Sequence, residues 1–212
     1  MRIRKYGISL VRLTHDHIEL VRQWRNAPRI REFMEYRETI TPEMQQRWFE
    51  QLDPVCDFYF IIEYHEQLVG LIHTSGIDWK VKSGHAGLFI HKNELLGSPV
   101  PVLASLSMVD FFFTCCKLET LHAKVMGENP VAIRYNARLG FKPSEPQSEK
   151  RFRNYALAKQ DYITATAQLH LLTKALHDEI YVIEMEPKLF VKLKSNNALQ
   201  LERLEKVLRL TD

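Results

Sequence analysis

Asn129-Pro-Val-Ala-Ile-Arg-Tyr135-Asn-Ala-Arg-Leu-Gly140-Phe141 carries a full set of helix start and stop signals behind an apolar, strand-like run from Leu121 to Met126. Asn129 reads as a helix N-cap, because its side-chain oxygen can accept from an orphan amide of the first turn. Pro130 falls at the first helical position, where its missing N–H costs nothing. Val131, Tyr135 and Leu139 recur at four-residue spacing and share one helix face. Gly140 stops the helix, as a residue that takes positive φ, and Phe141 starts the next strand. The segment is therefore a strand, a capped helix and a return to the sheet.

Upstream, Ile8 to Leu13 reads as a first strand, and His15 to Asn26 as a helix with Ile18, Val21 and Trp24 on one stripe. Pro28 ends that helix. Thr41-Pro42-Glu43 opens a second, with Met44, Trp48 and Leu52 on its buried face. Phe58–Ile62 and Leu68–Ile72 form an antiparallel hairpin around His65-Glu66. Gly84 to His91 gives a further strand. Val102, Leu106, Val109, Phe113 and Cys116 mark a long amphipathic helix.

Downstream, residues 144–160 read as a polar insertion whose later half has helical character. From Ile163 to Leu171 apolar residues alternate with Thr164, Thr166, Gln168 and His170, which argues for a strand and leaves a helix open. Ile180 to Glu186 is a second strand, closing a hairpin through Lys174 to Glu179. Asn196 or Asn197 caps a last helix with Leu201, Leu204 and Leu208 on one face, packed on its own domain. The organisation expected is a domain over 1–186 with an insertion at about 144–160, then a C-terminal helical extension over 187–212.

The 212 residues are 45% hydrophobic and 26% charged, ordinary for a globular domain with a sizeable core. With 29 basic and 26 acidic residues the formal charge is +3, which makes no electrostatic case for nucleic acid. The three cysteines, Cys56, Cys115 and Cys116, give neither a disulfide framework nor metal spacing, so no metal is expected. Met1 leads straight into Arg2-Ile-Arg-Lys-Tyr without an apolar signal core. No run reaches the ~18 apolar residues of a membrane helix. A cytoplasmic protein with no membrane partner is the expectation.

The order of elements, with the Asn129–Phe141 unit at its centre, resembles the GNAT N-acetyltransferase superfamily over about residues 7 to 186. The resemblance implies an α/β (α+β) fold with a mixed central sheet flanked by helices, here with an added C-terminal helix. It also implies acetyl-CoA as co-substrate and a primary amine on a small molecule as acceptor. In that family a loop reading Gln or Arg, two residues, Gly, any residue, then Gly or Ala holds the pyrophosphate at a helix N-terminus. The matching stretch is Glu94-Leu-Leu-Gly97-Ser98-Pro99-Val100-Pro101. Gly97 matches. Glu94 brings an anion, and Pro99 and Pro101 cannot donate. The amides of Gly97, Ser98, Val100 and Val102 remain. The resemblance lays pantetheine along Phe89, Ile90 and His91 in the manner of strand addition, with an amide near Ile90 as oxyanion donor. It gives Asn129 a contact to the pantetheine arm and makes Tyr135 the proton donor to the leaving thiolate. A phenol of pKa about 10 can protonate a thiolate whose parent pKa is ~8.5.

The general base is not fixed by the sequence. His73, His85 and His91 all fall in central strands, and Glu63 and Asp78 are further candidates. His73 comes first, where its strand can face the acceptor. Trp24-Arg25-Asn26, Arg31, Met34, Ile40-Thr-Pro-Glu and Trp48 resemble two branches of the superfamily. One acetylates nucleotide-linked amino sugars, the other the N-termini of ribosomal proteins. The Trp-Arg-Asn segment and the run Asp178 to Met185 are nearer the amino-sugar branch. That resemblance implies acceptor contacts from Trp24, Arg25, Asn26 and Arg31: Trp24 stacking on a sugar or base, Arg25 or Arg31 pairing with a phosphate. The chain is expected to act as a monomer or homodimer. Glu94, Pro99 and Pro101 favour a different outcome, a GNAT-fold binding module with impaired catalysis.

Overall fold

Arg2–Lys5 (β1) and Ile8–Arg12 (β2) form a hairpin turned at Tyr6 and Gly7, whose φ angles of 55° and 73° suit a tight two-residue turn. The sequence pattern predicts a first strand only from Ile8, and β1 precedes it. The computed structural model describes residues 1–145, 151–177, 181–195 and 208–210. A short 3₁₀ turn leads into Ile18–Asn26 (α1), which buries Ile18, Val21 and Trp24. Pro28 ends α1 and also begins Pro28–Arg31 (α2), where it occupies the first helical position. Pro42–Glu50 (α3) is capped by Thr41, whose hydroxyl accepts from the Met44 amide at 3.2 Å. Its buried residue is Gln45, while Trp48, Phe49 and Leu52 pack on the adjoining cluster and Met44 is half-buried.

Phe58–Tyr64 (β3) and Gln67–Asp78 (β4) pair around His65 and Glu66, both at positive φ, as the sequence pattern predicts. Ser83–Ile90 (β5) follows. Val100–Asp110 (α4) runs on into a π-helical turn, Phe111–Cys115. It is not amphipathic: every residue from Leu103 to Asp110 is buried, because the sheet lies on one side and a later helix on the other. Thr120–Met126 (β6) and Pro130–Arg138 (α5) match the opening segment, with Asn129 Oδ1 accepting from the Ala132 amide at 2.9 Å. Gly140 has φ +99°, and a Cβ there would meet the Asp161 carbonyl at 2.8 Å. Conformation and close packing both require glycine.

The region after Phe141 departs from expectation. Lys142–Pro143 (β7) is short, and the strand that matters is Phe152–Ala158 (β8), inside the segment expected to be a partly helical insertion. It alternates properly, with Tyr155 and Leu157 buried. Lys159–Leu176 (α6) is a helix where a strand was favoured. Its buried Tyr162, Thr166 and Thr173 fall at helical spacing, while Ile163 and Leu171 are 50% and 70% exposed. The threonines that suggest a strand give their hydroxyls to the carbonyl four residues back, Thr164 to Gln160 at 3.0 Å and Thr166 to Tyr162 at 2.7 Å. Val182–Met185 (β9) pairs antiparallel with β1, not with the 163–171 segment. Pro187–Ser195 (α7) buries Leu193. Leu208–Leu210 (β10) runs parallel to β9, so Leu208 sits in a strand and not on a helix face. Ile180, Asn196, Asn197, Leu201 and Leu204 lie outside the described residues.

Among the described residues ten strands form one mixed sheet in the order β10-β9-β1-β2-β3-β4-β5-β6-β8-β7. Helices α4 and α6 cover one face over the larger core, which includes Phe58, Phe60 and Phe111 to Phe113. Helices α1 and α3 cover the other over Leu13, Val21, Trp24, Ile61 and Leu71. Each fully buried phenylalanine contributes roughly 2–3 kcal/mol of transfer free energy.

Candidate active site

The central feature is a split in the sheet. β5 and β6 are parallel neighbours only from Ser83↔Thr120 to His85↔His122. Beyond that point β5 stays on β4 as far as Ile90, and β6 stays on β8 as far as Met126, so a wedge opens between them. The His91 amide donates to the Val69 carbonyl at 2.7 Å, which makes that pair a hydrogen-bonded one. Register is unbroken from Gly70↔Ile90 to Ser75↔His85. By antiparallel alternation the backbone groups of Ile90, Leu88 and Ala86 point away from β4, into the wedge. Arg29 Nη2 takes the carbonyls of Ile90 and His91 at 2.9 and 2.8 Å and so fixes the end of β5. Nothing in the sequence pattern singles out Arg29.

On the α1–α3 face, cross-strand register lines up Tyr59, His73 and Gly87 in one row and Ser75 and His85 in the next, with His122 beside His85 on β6. The His73 ring stacks on Tyr59 at 4.7 Å and 17°. Its Nδ1 is 3.2 Å from Ser75 Oγ, which also bonds the Tyr59 hydroxyl. A Cβ built on Gly87 would lie 2.3 Å from His73 Nε2. The imidazole therefore rests on β5 through the gap that glycine leaves, at the margin of the wedge. Burial first, then the charges of Arg25 and His85, lower its pKa to about 4. It is a neutral proton acceptor at neutral pH. His85 and His122 stand 5.6 Å apart at the apex of the split. Tyr59, Ser75 and Gly87 were not among the sequence candidates; the hairpin register that pairs 59 with 73 is the signal that finds them.

Two candidate bases lie elsewhere. Glu63 accepts from Arg2 Nη1 at 2.8 Å, and Asp78 caps the turn at Lys80 and Val81. His91 is committed to Trp24, stacked at 5.3 Å and 17°. Trp24 itself is 4% exposed, with Phe89 at its edge, so it belongs to the core and offers no ring to a ligand. Asn26 clamps Ile40, giving Nδ2 to its carbonyl and taking its amide, both at 2.9 Å. Arg31 reaches Thr39 Oγ1 at 3.3 Å. Of that segment Arg25 alone has a charge that acts on His73. It is desolvated enough to lower its pKa, and among the described residues it has no carboxylate or hydrogen-bond partner.

On the other face Tyr135 lies partly buried between α5 and α4. Its hydroxyl donates to the Pro101 carbonyl at 2.7 Å and meets Ser105 Oγ at 2.6 Å. Burial pushes the phenol well above its ordinary value, and Ser105 opposes this. At the start of α4, Ser98 N–H donates to the Leu95 carbonyl and Val100 N–H to Ser98 Oγ, so two of the four amides expected there are used within the loop. Gly97 is exposed, and an added Cβ would meet nothing within 4 Å. The protein itself gives no packing reason for glycine at this position.

Residues 8–142 match the acetyltransferase (GNAT) domain family. The chain belongs to the GNAT acetyltransferases. It is accordingly an N-acetyltransferase with acetyl-CoA as co-substrate. No curated protein matches it by sequence. Among solved structures it is similar to the spermidine N-acetyltransferase of Vibrio cholerae in complex with CoA and spermine, with TM-score 0.66 and 17% identity over 74% of this chain and 98% of that one. It is also similar to a domain from Methanocaldococcus jannaschii, with TM-score 0.61 and 21% identity over 71% of this chain and 97% of that one. At these identities the likeness is one of fold. Among the described residues no helix is long and apolar enough to cross a membrane.

Proposed function

We propose that this GNAT chain acetylates the primary amine of a small molecule, an amino sugar in the reading we favour, with the reaction centred on the wedge between β5 and β6. The splay of these strands carries the assignment. It leaves the groups of Leu88 and Ile90 without a strand partner, next to a neutral imidazole. Acetyl-CoA, when bound, supplies an activated acyl group on sulfur. The Leu88 and Ile90 backbone is suited to hold its arm, and the Ile90 amide to stabilise charge developing on the acyl oxygen. Gly97, standing in open space, is suited to admit a phosphate close to the backbone. Asn129 can offer its Nδ2, since Oδ1 is taken by the cap.

His73 accepts the proton that the amine sheds as its nitrogen attacks. A base of pKa about 4 cannot strip a free ammonium ion, but the attacking nitrogen becomes far more acidic as the new bond forms. For Tyr135 to protonate the leaving thiolate, its hydroxyl must exchange the Pro101 carbonyl for the sulfur. In its buried position the raised pKa makes the phenol a weaker acid than in water, so there it stabilises the thiolate as a hydrogen-bond donor and gives up the proton only where burial is relieved.

A second reading has an observation of its own. Ser98 and Val100 have spent their amides and Pro99 and Pro101 have none, which favours a binding module with weakened cofactor affinity. A thermal-shift titration separates the two. Acetyl-CoA at 100 times its Kd stabilises the fold by about 2.7 kcal/mol; no shift at millimolar acetyl-CoA contradicts the enzyme. Tyr135→Phe should keep that shift while lowering turnover at least 10-fold. Turnover of peptide N-termini in place of amino sugars would move the assignment to the protein-acetylating branch.

A further inference from the structure

Helix α6 lies beyond residues 8–142, the part of the chain that matches the family. Ile163, Leu171, Leu172 and Leu176 stand exposed on its outer side, with Ala167 and Ala175 between them. Lys174 is the one charged side chain among its exposed residues. A helix that faces water ordinarily carries charge there, and a continuous apolar stripe marks a surface that another element covers. Beside the stripe, between α6 and the π-helical turn, lies a cavity of about 260 Å³, lined in part by Phe113, Thr114, Tyr162, Ile163, Ala167 and His170. The polar groups in its wall are already paired. The Tyr162 hydroxyl donates to Asp110, His170 Nδ1 meets the Tyr6 hydroxyl at 2.9 Å, and Thr114 Oγ1 donates to the Asp110 carbonyl. Lys159 Nζ is 3.9 Å from Glu119. What the groove has left to offer is apolar: Phe113, Ile163 and Ala167.

The stripe is self-complementary. Ile163 and Leu171 sit one turn to either side of Ala167 on the same face of the helix. A two-fold axis at Ala167 lays a second α6 antiparallel on the first, with Ala167 against its own copy and the partner's Leu171 against Ile163. That leucine then meets the edge of the groove that Ile163 and Ala167 line, so each copy supplies one knob and one hole. The small side chains at the crossing let the two backbones approach. Antiparallel axes also set the N-terminus of each helix beside the C-terminus of the other, the favourable arrangement of the two dipoles. The 18 residues of α6 span about 27 Å. With both grooves filled, the contact reaches the lower range of specific interfaces, ~600 Å² per partner. We infer that the chain is a homodimer joined through α6, with its two-fold axis at Ala167, and that the second copy is what covers this stripe. The stripe lies on the face of the sheet opposite α1, α3 and His73, and the inference goes beyond the acceptor assignment without depending on it.

The test is sedimentation velocity of the full chain from low to several hundred micromolar. Wild type should pass from one to two chains per particle with a Kd of roughly 1–100 μM, the strength expected of a contact this small. Ala167→Glu sets two carboxylates against each other at the axis and should weaken association at least 100-fold, the scale of a like-charge clash in an interface. Its melting curve at low concentration should match that of wild type, and its acetyl-CoA affinity should stay within about 2-fold, since the substitution is on an exposed position away from the wedge. Leu171→Lys, at a side chain 70% exposed, should weaken the dimer less, and it decides the matter if Ala167→Glu does not fold. A wild-type chain that stays monomeric over the whole range overturns the inference, whether the stripe is then bare or covered by other residues of the same chain. A dimer that survives both substitutions unchanged overturns it as well. Neither result bears on acetyl transfer, which the thermal-shift and turnover measurements judge separately.

Discussion

On the face of the sheet under α4 and α6, the buried Asp110 carboxylate accepts from Lys5 Nζ at 2.6 Å, from the Tyr6 hydroxyl at 3.2 Å and from the Tyr162 hydroxyl at 2.7 Å. On the face under α1 and α3, Arg25 has no such partner among the described residues, and His73 Nε2 rests against a bare glycine. Both clusters are polar and substantially buried. The first is closed: its donors and acceptors are spent on one another, and its function is to tie β1, α4 and α6 together. The second has capacity left over, and it borders the split in the sheet. Spare hydrogen-bonding capacity in a desolvated place, more than polarity alone, distinguishes a chemical site from a structural one.

The contrast can be broken by mutation. Asp110→Asn removes the carboxylate that holds the part-buried Lys5 ammonium, and should lower unfolding free energy by about 3–5 kcal/mol in a denaturant titration. The folded fraction should retain its kcat/KM, because no residue of the wedge touches Asp110. A large loss of activity at unchanged stability would reverse the roles given to the two faces. A smaller effect comes from pH. His73 titrates at about 4 in the folded chain and at 6.5 in the unfolded one, so between these values the unfolded state binds the extra proton. Stability should therefore rise with pH across that window and fall on acidification, by on the order of 2 kcal/mol. His91 and His122 are lowered by burial and act in the same direction. Melting temperatures from pH 4 to 7 for wild type and His73→Gln check this, and the variant should show a shallower slope.

Local signals in the chain were sufficient wherever a helix cap or a two-residue turn fixed the geometry. Asn129 with Pro130, Thr41 with Pro42, and the turn at His65-Glu66 all sit where the sequence puts them. Beyond Phe141 local signals misled, because long-range pairing decides. β8 earns its place by pairing with β6, and β9 by pairing with β1 at the far edge. Neither contact has a local signature. The run from Ile163 to Leu171 alternates only because α6 leaves Ile163 and Leu171 exposed while its threonine hydroxyls bond back to the helix. Within the site, His73 and Tyr135 could be picked as residue types in suitable elements. Arg29, Ser75, Tyr59 and Gly87 could not, since their roles follow from register and from one close approach. Trp24 and Asn26 show the converse: a recognisable segment whose side chains are spent on His91 and Ile40.

The central claim is that the amine is acetylated at the wedge with His73 as proton acceptor. The most direct measurement is steady-state thiol release by wild type and His73→Gln with the best acceptor, over pH 4 to 9, alongside acetyl-CoA binding to each. The account predicts a fall in kcat of at least 100-fold in the variant with cofactor affinity unchanged, and, in wild-type kcat at saturating neutral amine, an acid limb below about pH 5, where the imidazole of pKa about 4 protonates. Turnover within about 2-fold of wild type in His73→Gln would contradict it.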